Sequence, residues 1–99
     1  MKIKVQSIHF TADRKLLKFV EEKVDKLFQF YDSIIDSEVY LRLDNADNDE
    51  NKITEIKIMT PGKVMFAKEQ CKTFEEATDV AVEALRKQIT KQKEKVRGM

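Results

Sequence analysis

The side chains with the clearest capacity for chemistry are lysines and arginines, and what they can do is hold anions. Arg86, Lys87, Lys91, Lys93, Lys95 and Arg97 supply six cations in twelve residues, interrupted only by Glu94. Glu75, Glu76, Asp79 and Glu83 precede them. Acid first and base last suits the dipole of a helix, but a dipole does not need six cations. A second basic group, Lys15, Lys18, Lys23 and Lys26, gathers mainly on one side of an earlier helical stretch, with Glu22 among it. Glu21 and Asp25 lie toward the other side, beside Arg14. An ordinary solvated face is the competing reading for this earlier set. Lysines and arginines on two adjacent helices make one broad positive face, which suits the closely spaced phosphates of folded RNA. The chain has neither an RNP-type aromatic pair nor a GXXG loop, so phosphate and shape recognition is expected in place of reading unpaired bases.

Other reactive groups do not converge. His9 is the single histidine and has no serine or cysteine motif beside it. Cys71 is the single cysteine, has no CxxC context, and is expected to be buried as a small hydrophobe. Glu21–Glu22 and Glu75–Glu76 are neighbours in sequence, and neighbours on a helix do not face each other. The acidic run Asp44 to Asn51, DNADNDEN, lacks the spacing of a calcium loop. Its sixth position has no glycine, and the twelfth falls on Glu55 inside a strand. A solvated loop is the expectation there. Neither an enzyme nor a cofactor or metal site is expected.

The elements that must position the lysines follow from periodicity. Lys2 to Ile8 alternates as a strand, with Ile3 and Val5 on one side. Thr11 can cap a helix beginning at Ala12 or Asp13, whose stripe is Leu16, Leu17, Val20, Val24, Leu27 and Tyr31. Phe28, Phe30 and Tyr31 close it and Asp32-Ser33 ends it. Ile34 to Leu43 is a second strand, with Val39, Leu41 and Leu43 on one face. Ile53 to Thr60 is a third, and Val64 to Cys71 a fourth, joined by a tight Pro61-Gly62 turn. The closing helix, Thr73 to Arg97, has Thr73 and Glu76 spaced as a capping box. Its stripe is Phe74, Ala77, Thr78, Ala81, Val82, Leu85, Ile89 and Val96, and Gly98 is a stop signal. The order β-α-β-β-β-α predicts an α+β two-layer sandwich, a four-stranded sheet with two helices packed on one face.

Composition bounds the rest. The 99 residues suit one domain with one core, 41% are hydrophobic and 37% charged, and the formal net charge is +1. Near-neutrality argues against a bulk polyanion binder and leaves room for a local basic face. No apolar run approaches a membrane span or the anatomy of a signal peptide, and one cysteine fits a reducing cytoplasm.

These residues carry a resemblance. The run ATDVAVEALRKQITKQKEK resembles the signature A-I-D-x-x-x-D-K-L-x-R-Q-I-x-K-x-K-x-K of the bacterial ribosome hibernation-promoting and ribosome-associated inhibitor (sigma-54 modulation protein) family. Ala77, Asp79, Leu85, Gln88, Ile89, Lys91, Lys93 and Lys95 fit it, with Lys87 for the arginine. Thr11, Val20, Lys23-x-x-Lys26-Leu27 and Phe30-Tyr31-Asp32 are similar to the family's first-helix pattern. Glu75 stands where the family has tyrosine, with Phe74 beside it to take over the packing, and the acidic loop is longer than usual. The resemblance covers essentially residues 1–99 as one ribosome-binding domain. With the chain stopping at Met99, it is to the short form, without the additional dimerisation domain. It implies a cytoplasmic, non-catalytic protein that binds the small ribosomal subunit and its ribosomal RNA. There it blocks the messenger RNA channel and the A and P sites under stress or in stationary phase. In short forms, pairing of ribosomes can depend on a separate ribosome modulation factor. Carried over by residue, the RNA-binding set is Lys23, Lys26, Lys87, Lys91, Lys93 and Lys95, with Arg86 and Arg97 added on charge alone. A generic module for structured RNA, and a protein-interaction domain using a strand edge or the Phe28-Phe30-Tyr31 cluster, are the competing functions.

Overall fold

A computed structural model of the chain describes residues 2–44 and 49–97, with the side chains of Lys2 and of residues 95–97 outside the description. The elements run β1 (Lys2–Ile8), α1 (Arg14–Phe30), β2 (Asp36–Leu43), β3 (Lys52–Thr60), β4 (Lys63–Cys71) and α2 (Phe74–Arg97). The strands form one sheet in the order β1-β2-β3-β4. The first pair is parallel, as a crossover through α1 requires, and the other two pairs are antiparallel. The expected α+β sandwich is what the chain forms.

Alternation decides which face of the sheet the helices cover. Val5, Val39, Ile56 and Ala67 lie opposite one another across the four strands, and Ile3, Ser37, Ile58 and Met65 make the next row. Val39, Ile56 and Ile58 are fully buried. Against these rows α1 lays Val20, Val24, Leu27 and Phe28, while α2 lays Phe74, Ala81, Val82, Leu85 and Ile89. The other face alternates in charge instead. Lys57 meets Glu38 at 3.9 Å, while Glu55 takes Arg42 at 2.5 Å and Lys68 at 3.8 Å. Cross-strand pairs of opposite charge fix the register on the face that has no core to do so.

Three expectations change at the joints. The cap of α1 is Asp13, not Thr11: its carboxylate accepts from the Leu16 amide at 2.7 Å. His9, at φ +64°, turns the chain out of β1, and Phe10 stacks on Phe74 with ring centres 5.1 Å apart. That contact fixes the connection, so the helix begins two residues later than Thr11 would have started it. Leu43, expected to face inward, is 46% exposed at the end of β2. Strand β2 begins at Asp36; Ile34 is buried before it, and the Ile35 amide donates to the Met59 carbonyl. At α2 the cap is as read, with the Glu76 amide donating to the Thr73 hydroxyl at 3.0 Å. Gly98, the expected stop, lies outside the described residues.

The tight turn between β3 and β4 is also as read. Thr60 pairs with Lys63, Gly62 sits at φ +77°, and the Thr60 hydroxyl donates to the Lys63 carbonyl at 2.9 Å. This turn places Lys63 at the head of β4, beside the C-terminal half of α2. Inside the sandwich, Thr54 of β3 and Thr78 of α2 share a hydrogen bond of 3.3 Å with both side chains fully buried.

Candidate nucleic-acid interface

Helices α1 and α2 lie side by side, and the groove between them gathers part of the lysine set. Its lining is Lys23, Lys26, Leu27, Phe30, Asp79, Val82, Glu83 and Arg86, around a volume of about 330 Å³. Leu27 and Val82 are core residues, so the groove has an apolar floor. Its cations project from opposite walls because residues three and four apart share a helix face. Lys23 and Lys26 share one wall in this way, and Arg86 stands on the other with Glu83.

The organising side chain is Phe30, the last residue of α1. The Arg86 guanidinium lies 5.0 Å from its ring centre and the Lys93 ammonium 4.4 Å. Lys93 also lies 5.7 Å from the Tyr31 ring and donates to the Phe30 carbonyl at 3.1 Å. The ring and the carbonyl at the end of α1 therefore seat two cations from α2. Both are electrostatically favourable positions, one over a π face and one at the negative end of a helix. The aromatic cluster expected as a protein contact is not a free surface: Phe28 is buried in the core, and Phe30 and Tyr31 lie beneath these cations.

Acid is closer to the basic set than the chain order suggested. Lys23 pairs with Asp79 across the groove at 3.1 Å and also lies 5.4 Å from the Phe19 ring. Arg86 pairs with Glu83 one turn back at 3.9 Å. Among the described residues the ion pairs of α2 are these two, whereas the sequence offered Glu94 as partner for Lys91 or Lys87. Lys26, Lys87 and Lys91 carry no ion pair among the described residues.

The rest of the set is distributed around α2 and does not form one plane. Lys87 stands on the exposed ridge, shared with Glu83, Arg86, Thr90, Lys91 and Glu94. Lys91 reaches round to the side facing β4, where Lys63, Gln88 and Gln92 are its neighbours. Lys95 and Arg97 belong to the helical backbone of α2, and their side chains lie outside the described residues. Two participants went unread in the sequence. Phe30 gave a family match but no sign that it would hold cations from α2. Lys63 follows a proline-glycine turn and gave no signal at all.

The remaining reactive group is quiet. Cys71 is half-buried, and burial, with Glu76, Glu69 and Glu50 nearby, pushes its thiol pKa up, away from the nucleophilic thiolate. Among the described residues no helix is long and apolar enough to cross a membrane. The arrangement presents several lysines and arginines at the surface, two of them seated on the Phe30 ring.

Comparison with solved structures places the same architecture elsewhere. A ribosomal subunit interface protein from Coxiella burnetii superposes with a TM-score of 0.82 at 19% identity, covering 94% of this chain and 98% of that one. The N-terminal domain of Protein Y from Thermus thermophilus superposes with a TM-score of 0.73 at 22% identity, covering 91% and 93%. At those identities the likeness is one of fold. Kinship comes from the sequence itself: a sequence model of one family runs from residue 3 to residue 97, through both basic helices and the sheet beneath them. The chain therefore belongs to the sigma 54 modulation protein / S30EA ribosomal protein family.

Proposed function

We propose that the protein is a ribosome-associated translation inhibitor of the hibernation type. In this reading it binds the small ribosomal subunit in the cytoplasm through the two-helix basic face. It occupies the path of messenger RNA and the A and P sites when growth stops or stress begins. The chemistry is non-covalent: Lys23, Lys26, Arg86, Lys87, Lys91 and Lys93 contact ribosomal RNA phosphates, and Lys95 and Arg97 extend the set along α2. Domain 1–99 acts as one binding unit.

The observation that carries the reading is the groove in which Lys23 and Lys26 of α1 face Arg86 of α2, in a chain of this family. Cations on two rigid helices meet phosphates with little ordering cost, and phosphate contacts position a protein without reading sequence. A net charge of +1 leaves the attraction to local basic patches and not to the molecule as a whole. The test is co-sedimentation of the full chain with purified small subunits across a salt series. The wild type is expected in the subunit fraction, and the triple variant Lys26→Glu, Lys87→Glu, Lys91→Glu is expected in the supernatant. Equal sedimentation of the two would reject the basic face as the contact. Equal affinity for a plain RNA duplex and for subunits would favour a generic RNA-binding module instead.

A further inference from the structure

The cations of α2 do not all look toward α1. Each helical residue rotates the side chain by about 100°, so Lys91 stands roughly 140° round the axis from Arg86. That rotation takes it out of the α1–α2 groove and into an open cleft of about 510 Å³ between α2 and the head of β4, lined by Lys63, Gln88, Lys91, Gln92 and Glu94. The cleft is built by cross-contacts between the two elements. The Lys63 ammonium donates to Gln92 Oε1 at 3.1 Å, and Gln88 Nε2 donates to the Phe66 carbonyl at 3.0 Å. Neither Lys63 nor Lys91 has an ion-pair partner among the described residues, and Glu94 is the single acid in the lining.

We propose that this cleft is a second phosphate-backbone site, with Lys63 and Lys91 as its ligands. It would hold a strand of folded RNA other than the one gripped in the α1–α2 groove. The proposal rests on the ribosomal RNA reading above and adds a residue outside both helices. Three features point to RNA phosphate as the ligand. Every lining side chain ends in a charge or an amide, which suits a polar ligand. One carboxylate is too few to hold a hard divalent cation. Lys87 and Lys91 also stand on the ridge of α2 between groove and cleft, with Glu83 and Glu94 beside them, so a phosphate surface in the groove can be followed over α2 into the cleft. Folded RNA offers such a surface, because its phosphates line both sides of a groove.

Two single-thiol variants of the full chain in a Cys71→Ser background test this. Glu94→Cys, exposed in the lining of the cleft, and Glu22→Cys, one turn before Lys26, each carry a tethered iron-EDTA source of hydroxyl radicals. Each is bound to small ribosomal subunits, and cleavage of the RNA is mapped. Two separate sets of cut nucleotides are expected, one for each tether. Cleavage from position 22 with none from position 94, or one shared set from both, overturns the second site and leaves the ribosomal reading standing. Failure of the unlabelled protein to co-sediment with subunits removes both. A second measurement needs no tether: the double variant Lys63→Gln, Lys91→Gln is expected to lower the slope of log affinity against log salt by about two, one per lost phosphate contact. The thermal midpoint should move little, since neither lysine holds an ion pair and the Lys63–Gln92 hydrogen bond is exposed. An unchanged slope rejects the site.

Discussion

Phe30 and Asp79 do opposite things to the basic face. The ring of Phe30 seats Arg86 and Lys93, and each such contact at a partly exposed ring contributes about 0.5–1 kcal/mol. Phe30→Leu should therefore weaken subunit binding several-fold while Phe30→Tyr retains it, read by sedimentation at fixed salt; equal loss in both would mean the ring matters only for packing. Asp79 instead occupies Lys23. Because exposed ion pairs stabilise by at most about 1 kcal/mol, Asp79→Asn should leave the melting temperature almost unmoved. The same substitution should tighten binding, and weaker binding would show that Asp79 positions Lys23 for RNA. Cys71 gives a pH signature. Its raised pKa means the folded state holds the thiol proton more tightly than the unfolded chain does. Stability from this group is intact below the ordinary value of 9.0 and falls as pH rises through the higher folded value. Tyr40, pushed up by burial and by its hydrogen bond to Glu38, acts in the same direction. Cys71→Ser should reduce, but not abolish, the loss of stability above pH 9, as followed by urea unfolding.

At the scale of elements, the bond between Thr54 and Thr78 is the polar tie between sheet and α2 inside the core. Removing one hydroxyl strands its partner, at a cost of about 1–3 kcal/mol, whereas removing both leaves a matched apolar pair. Thr54→Val should thus destabilise more than the double variant Thr54→Val, Thr78→Val. Additive losses in a double-mutant cycle would show that the two hydroxyls are not coupled. The elements themselves were legible because their periods are clean: two for the strands, 3.6 for the helices. What escaped was anything depending on contact between distant residues. Thr11 was expected to cap α1, but aspartate is the stronger capping residue, and Asp13 serves in the folded chain, where Phe10 stacks on Phe74. The lysines of the expected set lie on the two helices that periodicity gave them, since charge is written in the chain. Their partners were not, because Lys23 meets Asp79 and Lys63 meets Gln92 only after the sandwich closes.

The whole molecule is elongated, 48 × 24 × 18 Å, with one charge-sorted helix face and a sheet face stitched by alternating charge. Its connectivity has a consequence for the order in which it assembles. Strands β2, β3 and β4 follow one another through hairpins, so their pairing closes short loops. Strand β1 reaches β2 only after the whole of α1 has crossed over, and it then pairs in parallel along an outer edge of the sheet. Closing the longer loop is slower, and the edge strand has neighbours on one side alone. The meander with α2 should therefore form first, with β1 and α1 docking onto it last and detaching first. Native-state hydrogen exchange reads this directly: amides of β1 should exchange through an opening smaller than global unfolding, while those of β3 wait for the whole chain. Uniform protection across the four strands would mean that the protein unfolds as one block. In the expected case the α1 wall of the basic groove belongs to the less stable half of the molecule, and Lys23 and Lys26 are fixed in place only at the final step of folding.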